Sequence, residues 1–367
     1  YEEAAWKFLR FGLKVSDAFC SMFVKSERFN AYLKTNPDPR AIQFRGSVYC
    51  VALAMYLQPI EHHIYTMGGF SKGVPDSRNI AKGLNSVQRA EVLSKKMSYF
   101  RNPVVLSLDA SRFDKHVSSE LLKIEHSVYT HVNPHFFFRK LLTMQLVNKV
   151  FAKSGLKYVS NGRRMSGDMN TALGNCLLML IMVRAFCLFL NLAVWDCLDD
   201  GDDCLLIIEQ EDLASVQSSI VTHFLDYGME MKVEKVAYSL FEVEFCQSSV
   251  IEYADARFKF VRDYRAVISK SLSGIRHWQD PNYRTKVLRA IGLCELVLNL
   301  GVPVLQSFAL CLLRNVGRTT DIHLASDGLK SRVARELRGL GLSLSDVKPR
   351  KVSEVARSSF AKAFGCS

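Results

Sequence analysis

The chain has 367 residues, 49% of them hydrophobic, with a formal net charge of +12 and ten cysteines. That apolar content supports a sizeable core and two or three subdomains, and the sequence carries no low-complexity tail, sustained heptad pattern or internal repeat. The charge, with a pI near 9.2, favours a polyanionic partner, nucleic acid before an anionic membrane surface. Most cysteines sit inside apolar runs and none forms a CxxC pair, which argues for a reducing compartment and against disulfides or structural zinc. Charge interrupts every short apolar stretch near the N-terminus, so no signal peptide is expected. The first methionine is Met22, and a fragment of a longer product is expected.

In chain order, the apolar spacing of residues 1–35 predicts helix. Pro37 and Pro39 then break it, and Arg40 and Arg45 flank a short extended stretch. Two guanidiniums on a stiff segment suit bidentate phosphate binding, although a plain basic loop would look the same. Residues 47–65 read as helix ending near His62 and His63. The stretch GGFSKGVP lacks the GK[ST] ending of a phosphate loop, which excludes a Walker site. Another helix is predicted over 85–98.

The segment PVVLSLDASRFDKHVS follows, a strand from Val104 ending at Asp109 with Asp114 five residues on. A carboxylate at the end of a core strand is costly unless it is paired or binds a metal. Residues 119–150 are predicted as two helices split at Asn133-Pro134. Turn signals stand at Ser154-Gly155 and Asn161-Gly162, the second a strong hairpin dipeptide. The polar loop SGDMNTALGN, residues 166–175, then opens a long apolar helix. Its length suggests a membrane span, but Arg184 in its middle favours a buried core helix.

That helix runs into DCLDDGDDCLLII, residues 196–208. Two apolar arms meet at a turn with four aspartates around Gly201, and the second arm reads as a buried strand. Such charge density repels itself unless a cation sits there. For this segment alone a solvated hairpin tip and a metal site are equally supported. An amphipathic helix is predicted over 212–227, closed by Gly228, and strands over MKVEKVAYSLFEVEFCQSSVIEY. The element order predicts an α+β fold on an antiparallel sheet. From about residue 263 the chain is basic and mostly helical, through GIRHWQDP, a helix from Tyr283 to about Leu300, and VPVLQSFALCLLRNVG.

The succession DASRFDKHVS, SGDMNTALGN, DDGDD and EFCQ resembles the RNA-dependent RNA polymerases of positive-strand RNA viruses, most closely the tombusvirus and carmovirus group. The resemblance implies a right-hand polymerase, with partial fingers over 1–102, palm over 103–118, a fingers insertion over 119–165, palm over 166–262 and a helical thumb over 263–367. It implies that Asp109 and Asp202 hold two Mg2+ (or Mn2+) ions with Asp203 as acidic neighbour. Asp114, Thr171 and Asn175 would sense the ribose 2′-hydroxyl, and Ser166 and Gly167 would form a flexible substrate loop. Arg40 and Arg45 would meet the incoming triphosphate. Lys235, with Lys232 close by, would protonate pyrophosphate, and Phe245, Cys246 and Gln247 would form a primer-grip hairpin.

The partners so implied are template and product RNA and ribonucleoside triphosphates. Viral or host replication proteins and a membrane would be reached through an N-terminal region beyond this chain, at replication complexes in the host cytoplasm. A reverse transcriptase shares the palm but carries an aromatic gate where this chain has Asp114 and Asn175. A non-catalytic RNA-binding protein explains the charge but not two acidic strand ends.

Overall fold

A computed structural model describes residues 1–27, 37–254, 256–274, 278–316 and 327–366. The strands are β1 Cys20–Val24, β2 Ala41–Arg45, β3 Pro103–Ser111, β4 Val147–Ala152, β5 Lys157–Asn161, β6 Trp195–Asp199, β7 Asp203–Glu209, β8 Glu230–Ala237, β9 Glu244–Phe245, β10 Ser248–Ala254 and β11 Arg257–Arg262. They form three sheets, in orders β2-β1-β4-β5, β6-β7-β3-β8 and β11-β10-β9. Helices fill the rest, so the α+β class holds. The chain divides into two compact units, residues 1–81 with 100–236, and 82–99 with 237–367.

In the first unit the central sheet is β6-β7-β3-β8. Val104, Val105, Leu106 and Leu108 of β3 pair in antiparallel register with Ile208, Ile207, Leu206 and Cys204 of β7, all at most 2% exposed. Strands this apolar on both faces must be covered twice. Helix Thr171–Phe189 supplies one cover. It is the one described helix long and apolar enough to cross a membrane, yet 67% of its apolar window is buried inside the fold, as the core-helix reading expects.

The Gly-rich stretch around residues 68–75 has a structural task. Lys72 exchanges backbone hydrogen bonds with Trp195, and Asn79 and Ala81 bond to Asp199, which covers the outer edge of β6. Gly73, at φ 74°, lies so close to the Ala193 carbonyl that a Cβ would sit 2.8 Å from it. A capped edge cannot recruit a stray strand.

Three expectations are corrected. Residues 1–27 are not continuous helix: helix Glu2–Phe11 stops at Gly12, a 3-10 turn covers Val15–Ala18, and Cys20–Val24 is β1. Antiparallel pairing with β2 and parallel pairing with β4 override the helical spacing; residues 28–35 lie outside the described residues. The second predicted helix region ends at Thr143, and β4 follows. The β4–β5 hairpin turns at Ser154-Gly155, with Gly155 at φ 92°. Asn161-Gly162 instead ends β5, where Gly162 packs against the Ser118-Ser119 backbone. The sheet β2-β1-β4-β5 is mixed through its parallel β1–β4 pair, while the β6-β7-β3 strands of the central sheet pair antiparallel, as expected.

In the second unit, β10 and β11 pair beside helix Ser86–Met97 and helix Glu354–Phe364. Helices Pro281–Leu298 and Leu305–Asn315 match the predicted pair closely, while residues 275–277 of GIRHWQDP lie outside the described residues. All ten cysteines are free thiols.

Candidate active site

The register of β3 with β7 puts Asp109 directly opposite Asp203. The Ala110 N–H donates to the Asp202 carbonyl at 3.0 Å, so Asp109 and Asp203 form the neighbouring non-hydrogen-bonded pair. In such a pair the Cα atoms are about 4.5 Å apart and both side chains stand on one face. Gly201, at φ 107°, makes the turn that presents Asp202 to solvent. Like charges directly opposite are destabilising, so a divalent cation is the natural complement. Among the described residues no three His, Cys, Asp or Glu side chains form a ready metal cage. Mg2+ does not need one: it is held by one or two carboxylates, with substrate phosphate and water filling its octahedron. The donor set, an exposed Asp202 beside half-buried Asp109 and Asp203, fits that mode.

Asp199 is fully buried and its Oδ1 accepts from Gly201 N at 3.0 Å; the Asp200 N–H donates to the Asp203 carbonyl at 2.9 Å. These two aspartates, which sequence leaves without a role, shape the turn.

Asp114 lies beyond β3 in the short helix Phe113–His116, and Asn175 Nδ2 donates to its Oδ1 at 3.0 Å. Burial raises the Asp114 pKa, opposed by the Asn175 hydrogen bond and by Arg164, and reinforced by the charge of Asp202. A carboxylate raised in the folded state contributes stability below its unfolded pKa and loses it as pH rises through the folded value. Asp114→Asn is therefore expected to gain thermal stability over wild type as pH rises from about 4 to neutrality, read from melting curves across that range. A Cβ on Gly201 would lie 3.5 Å from the Asn175 Cβ, so the acidic turn and the Asp114–Asn175 pair adjoin.

Asn175 is itself held from behind. Its Oδ1 accepts from Arg164 Nε at 3.0 Å, and Arg164 pairs with Glu125, both side chains 0% exposed. Burial works against the Arg164 charge, but Glu125 more than offsets this and the pKa lies above the ordinary value. Tyr129 Oη and Asn170 Nδ2 also donate to Glu125, at 2.9 and 2.7 Å. Gly174 makes room: a Cβ there would fall on the Glu125 carboxylate and the Arg164 guanidinium. Sequence reading missed Glu125, Arg164, Asn170 and Gly174. The Arg163-Arg164 pair beside the SGD loop was a signal, but its partner lies 39 residues away.

The loop 166–170 rests on β2. Ser166 Oγ contacts the Gln43 backbone N–H and its Oε1 at 3.4 and 3.3 Å, and Gly167 N donates to the Gln43 carbonyl at 2.7 Å. A Cβ on Gly167 would strike that carbonyl and Phe44. The Thr171 hydroxyl donates to the backbone carbonyl of Asp168 at 2.9 Å or to that of Met165 at 3.2 Å. Thr171 therefore braces the loop and does not join Asp114, unlike Asn175.

The two arginines part company. Arg45 is 3% exposed, and it donates to Asp168 Oδ1 at 2.5 Å and to Asn148 Oδ1 at 2.5 Å. Burial opposes its charge, and the Asp168 carboxylate outweighs that, raising its pKa. With its fork committed inside the protein, Arg45 is a brace, and the expectation of a triphosphate ligand is corrected. Arg40 is exposed and bonds Glu27 from Nε at 2.6 Å. That hydrogen bond raises its pKa, with further support from the charges of Asp202 and Asp114, so Arg40 lies within electrostatic reach of the acidic site.

Lys232 and Lys235 are both exposed on β8, which neighbours β3. His116, just past Asp114, approaches Glu230 at 3.5 Å, so it is the start of β8 that lies beside this end of the site. At about 3.3 Å per residue, Lys235 stands about 10 Å further along than Lys232. In the second unit, Cys246 and Gln247 have φ of 51° and 57° between paired Phe245 and Ser248. This is a two-residue hairpin of the primed type. Phe245 is buried under Arg89, whose guanidinium is 5.7 Å from the ring centroid.

The family described as viral RNA dependent RNA polymerase matches residues 1–367, and the chain belongs to it. Among relatives named RNA-directed RNA polymerase, that of Groundnut rosette virus (strain MC1) is 39% identical over 363 residues, 97% of this chain and 41% of its own length. Those of Melon necrotic spot virus and Carnation mottle virus are 35% and 34% identical over the whole chain, which covers 46% and 47% of their lengths. The chain thus spans a little under half of these relatives.

Proposed function

We propose that this chain carries the polymerising region of an RNA-directed RNA polymerase that copies a positive-strand viral genome from ribonucleoside triphosphates. The observation that carries the reading is Asp109 opposite Asp203, with Asp202 at the adjoining turn, in a chain of this family. Asp109 and Asp202 would hold two divalent ions, Asp203 assisting. When bound, the ions would stabilise the attacking 3′-oxygen and the leaving pyrophosphate oxygen. Asp114, fixed by Asn175, accepts the ribose 2′-hydroxyl, and Arg40 meets the triphosphate. The Phe245–Gln247 hairpin supports the primer. Fingers over 1–102 and 119–165, palm over 103–118 and 166–262, and thumb over 263–367 complete the assignment, as do work at membrane-bound complexes in the host cytoplasm and viral or host replication proteins as partners.

Divalent-dependent extension of an RNA primer on an RNA template, with and without upstream sequence, tests the reading. Extension with deoxynucleotides as readily as with ribonucleotides would instead favour a reverse transcriptase. Removing a hydrogen bond to a charged group costs about 1.5–3 kcal/mol. Asp114→Ala is therefore expected to lower the preference for ribo- over deoxynucleotides about tenfold or more, read from competing single-nucleotide incorporations. Loss of a general acid costs about 10²-fold. From the position of Glu230, Lys232→Ala is expected to show that loss in single-turnover incorporation, and Lys235→Ala a smaller one. The reverse order would restore Lys235 as the proton donor.

A further inference from the structure

Ser111 closes β3 two residues beyond Asp109, and residues two apart on a strand stand on the same face. The pairing of β3 with β7 ends at Asp109 and Asp203, so Ser111 projects past the paired strands on the face where those two carboxylates stand. There its hydroxyl donates to Asp109 Oδ2 at 3.2 Å.

The backbone behind that hydroxyl is held in place. Arg112 takes the left-handed conformation, φ 53° and ψ 41°, uncommon for a residue with a side chain, and turns the chain into helix Phe113–His116. His116 reaches back over this turn, its Nδ1 lying 3.1 Å from the Ser111 carbonyl. A carbonyl only accepts, so Nδ1 carries the proton. The other ring nitrogen faces Glu230 of β8 at 3.5 Å.

Asp109 needs such a restraint. The terminal torsion of an aspartate is broad, and Asp109 faces Asp203 directly, so repulsion favours rotation of each carboxylate away from the other. A hydroxyl bonded to Oδ2 limits that rotation. It uses one of about four lone-pair sites on the carboxylate and leaves the others for an ion. Carboxylates that hold metals are commonly oriented by hydrogen bonds of this kind, and losing one costs about 10–100-fold in metal affinity or activity.

We infer that Ser111 is a positioning residue for Asp109: its hydroxyl orients the carboxylate and so sets the affinity for the divalent ion held there. The inference rests on the reading of Asp109 and Asp202 as ligands, and it gives Ser111 no contact with ion or substrate. At 3.2 Å the bond is long for a hydroxyl on a carboxylate, which puts the expected effect at the lower end of the range.

The test is Mn2+ binding to the 367-residue chain without RNA or nucleotide, read from the electron paramagnetic resonance signal of the free ion. The site is defined as the uptake that Asp202→Asn abolishes. Ser111→Ala is expected to weaken that binding about tenfold. Ser111→Thr keeps the donor and is expected to stay within about twofold of wild type. Nucleotide incorporation by Ser111→Ala is expected to approach the wild-type rate at saturating Mn2+, because affinity is lost and chemistry is not. Wild-type affinity in Ser111→Ala overturns the inference. An equal loss in Ser111→Thr, or an incorporation deficit that persists at saturating Mn2+, also overturns it, since either outcome points to packing. If wild type and Asp202→Asn bind Mn2+ alike, the reading of the metal ligands itself fails and the inference falls with it. That comparison uses no Ser111 variant, so the two failures are told apart.

Discussion

Asp202→Asn is expected to lower nucleotide incorporation at least about a thousandfold while RNA affinity stays within about twofold. The substitution is nearly isosteric. The hydrogen bond that seats the turn runs from Ala110 N–H to the Asp202 main-chain carbonyl at 3.0 Å, and an asparagine retains it. What is lost is a charge at an exposed position beside Asp109 and Asp203. Divalent stabilisation of the reacting oxygens is worth several kcal/mol, and each 1.36 kcal/mol is tenfold in rate. Primer extension and RNA binding on the same preparation decide the matter, and equal incorporation by variant and wild type would remove Asp202 from the chemistry. A readout besides activity is available. Mg2+ is expected to raise the melting midpoint of wild type more than that of Asp202→Asn, because the wild-type carboxylates repel one another until a cation is held.

Arg164→Met is expected to destabilise the chain by about 3–5 kcal/mol, the usual consequence of stranding one member of a buried ion pair. Glu125 would remain fully buried with Tyr129 and Asn170 as its partners but without its counter-charge. Denaturant titration measures the loss, and a change under 1 kcal/mol would mean that water reaches Glu125. Adding Glu125→Leu to Arg164→Met should recover part of that loss, since an apolar pair of similar volume avoids the buried charge altogether. The double variant is still expected to discriminate poorly between ribo- and deoxynucleotides. Asn175 would then lack the Arg164 Nε donor that orients its amide towards Asp114. Stability restored without selectivity would show that the buried pair serves to position Asn175.

The acidic end of the central sheet was legible in the sequence because its signals are local. An apolar run ending in a carboxylate costs energy wherever it folds, so Asp109 and the aspartates around Gly201 stood out. The hairpin at Cys246-Gln247 was legible only through the family motif EFCQ. Neither residue is a glycine, so composition gave no hint of two positive φ angles. Arg45 misled for a related reason. Two arginines five residues apart look alike in sequence, yet Arg40, just before β2, is exposed and paired with Glu27, while Arg45, at the end of β2, is locked onto Asp168.

By itself the sequence determined the α+β class, the buried apolar strands, the cover helix over residues 171–189 and the two acidic strand ends, since each follows from composition and spacing within a short window. Only the tertiary structure decided which polar groups meet. The β3–β7 register set Asp109 opposite Asp203, and the contact with Asp114 selected Asn175 over Thr171. The fit of Gly174 against the Glu125–Arg164 pair was likewise invisible in one dimension. Such contacts join residues far apart in the chain, and they are fixed by packing and desolvation, which no short window records.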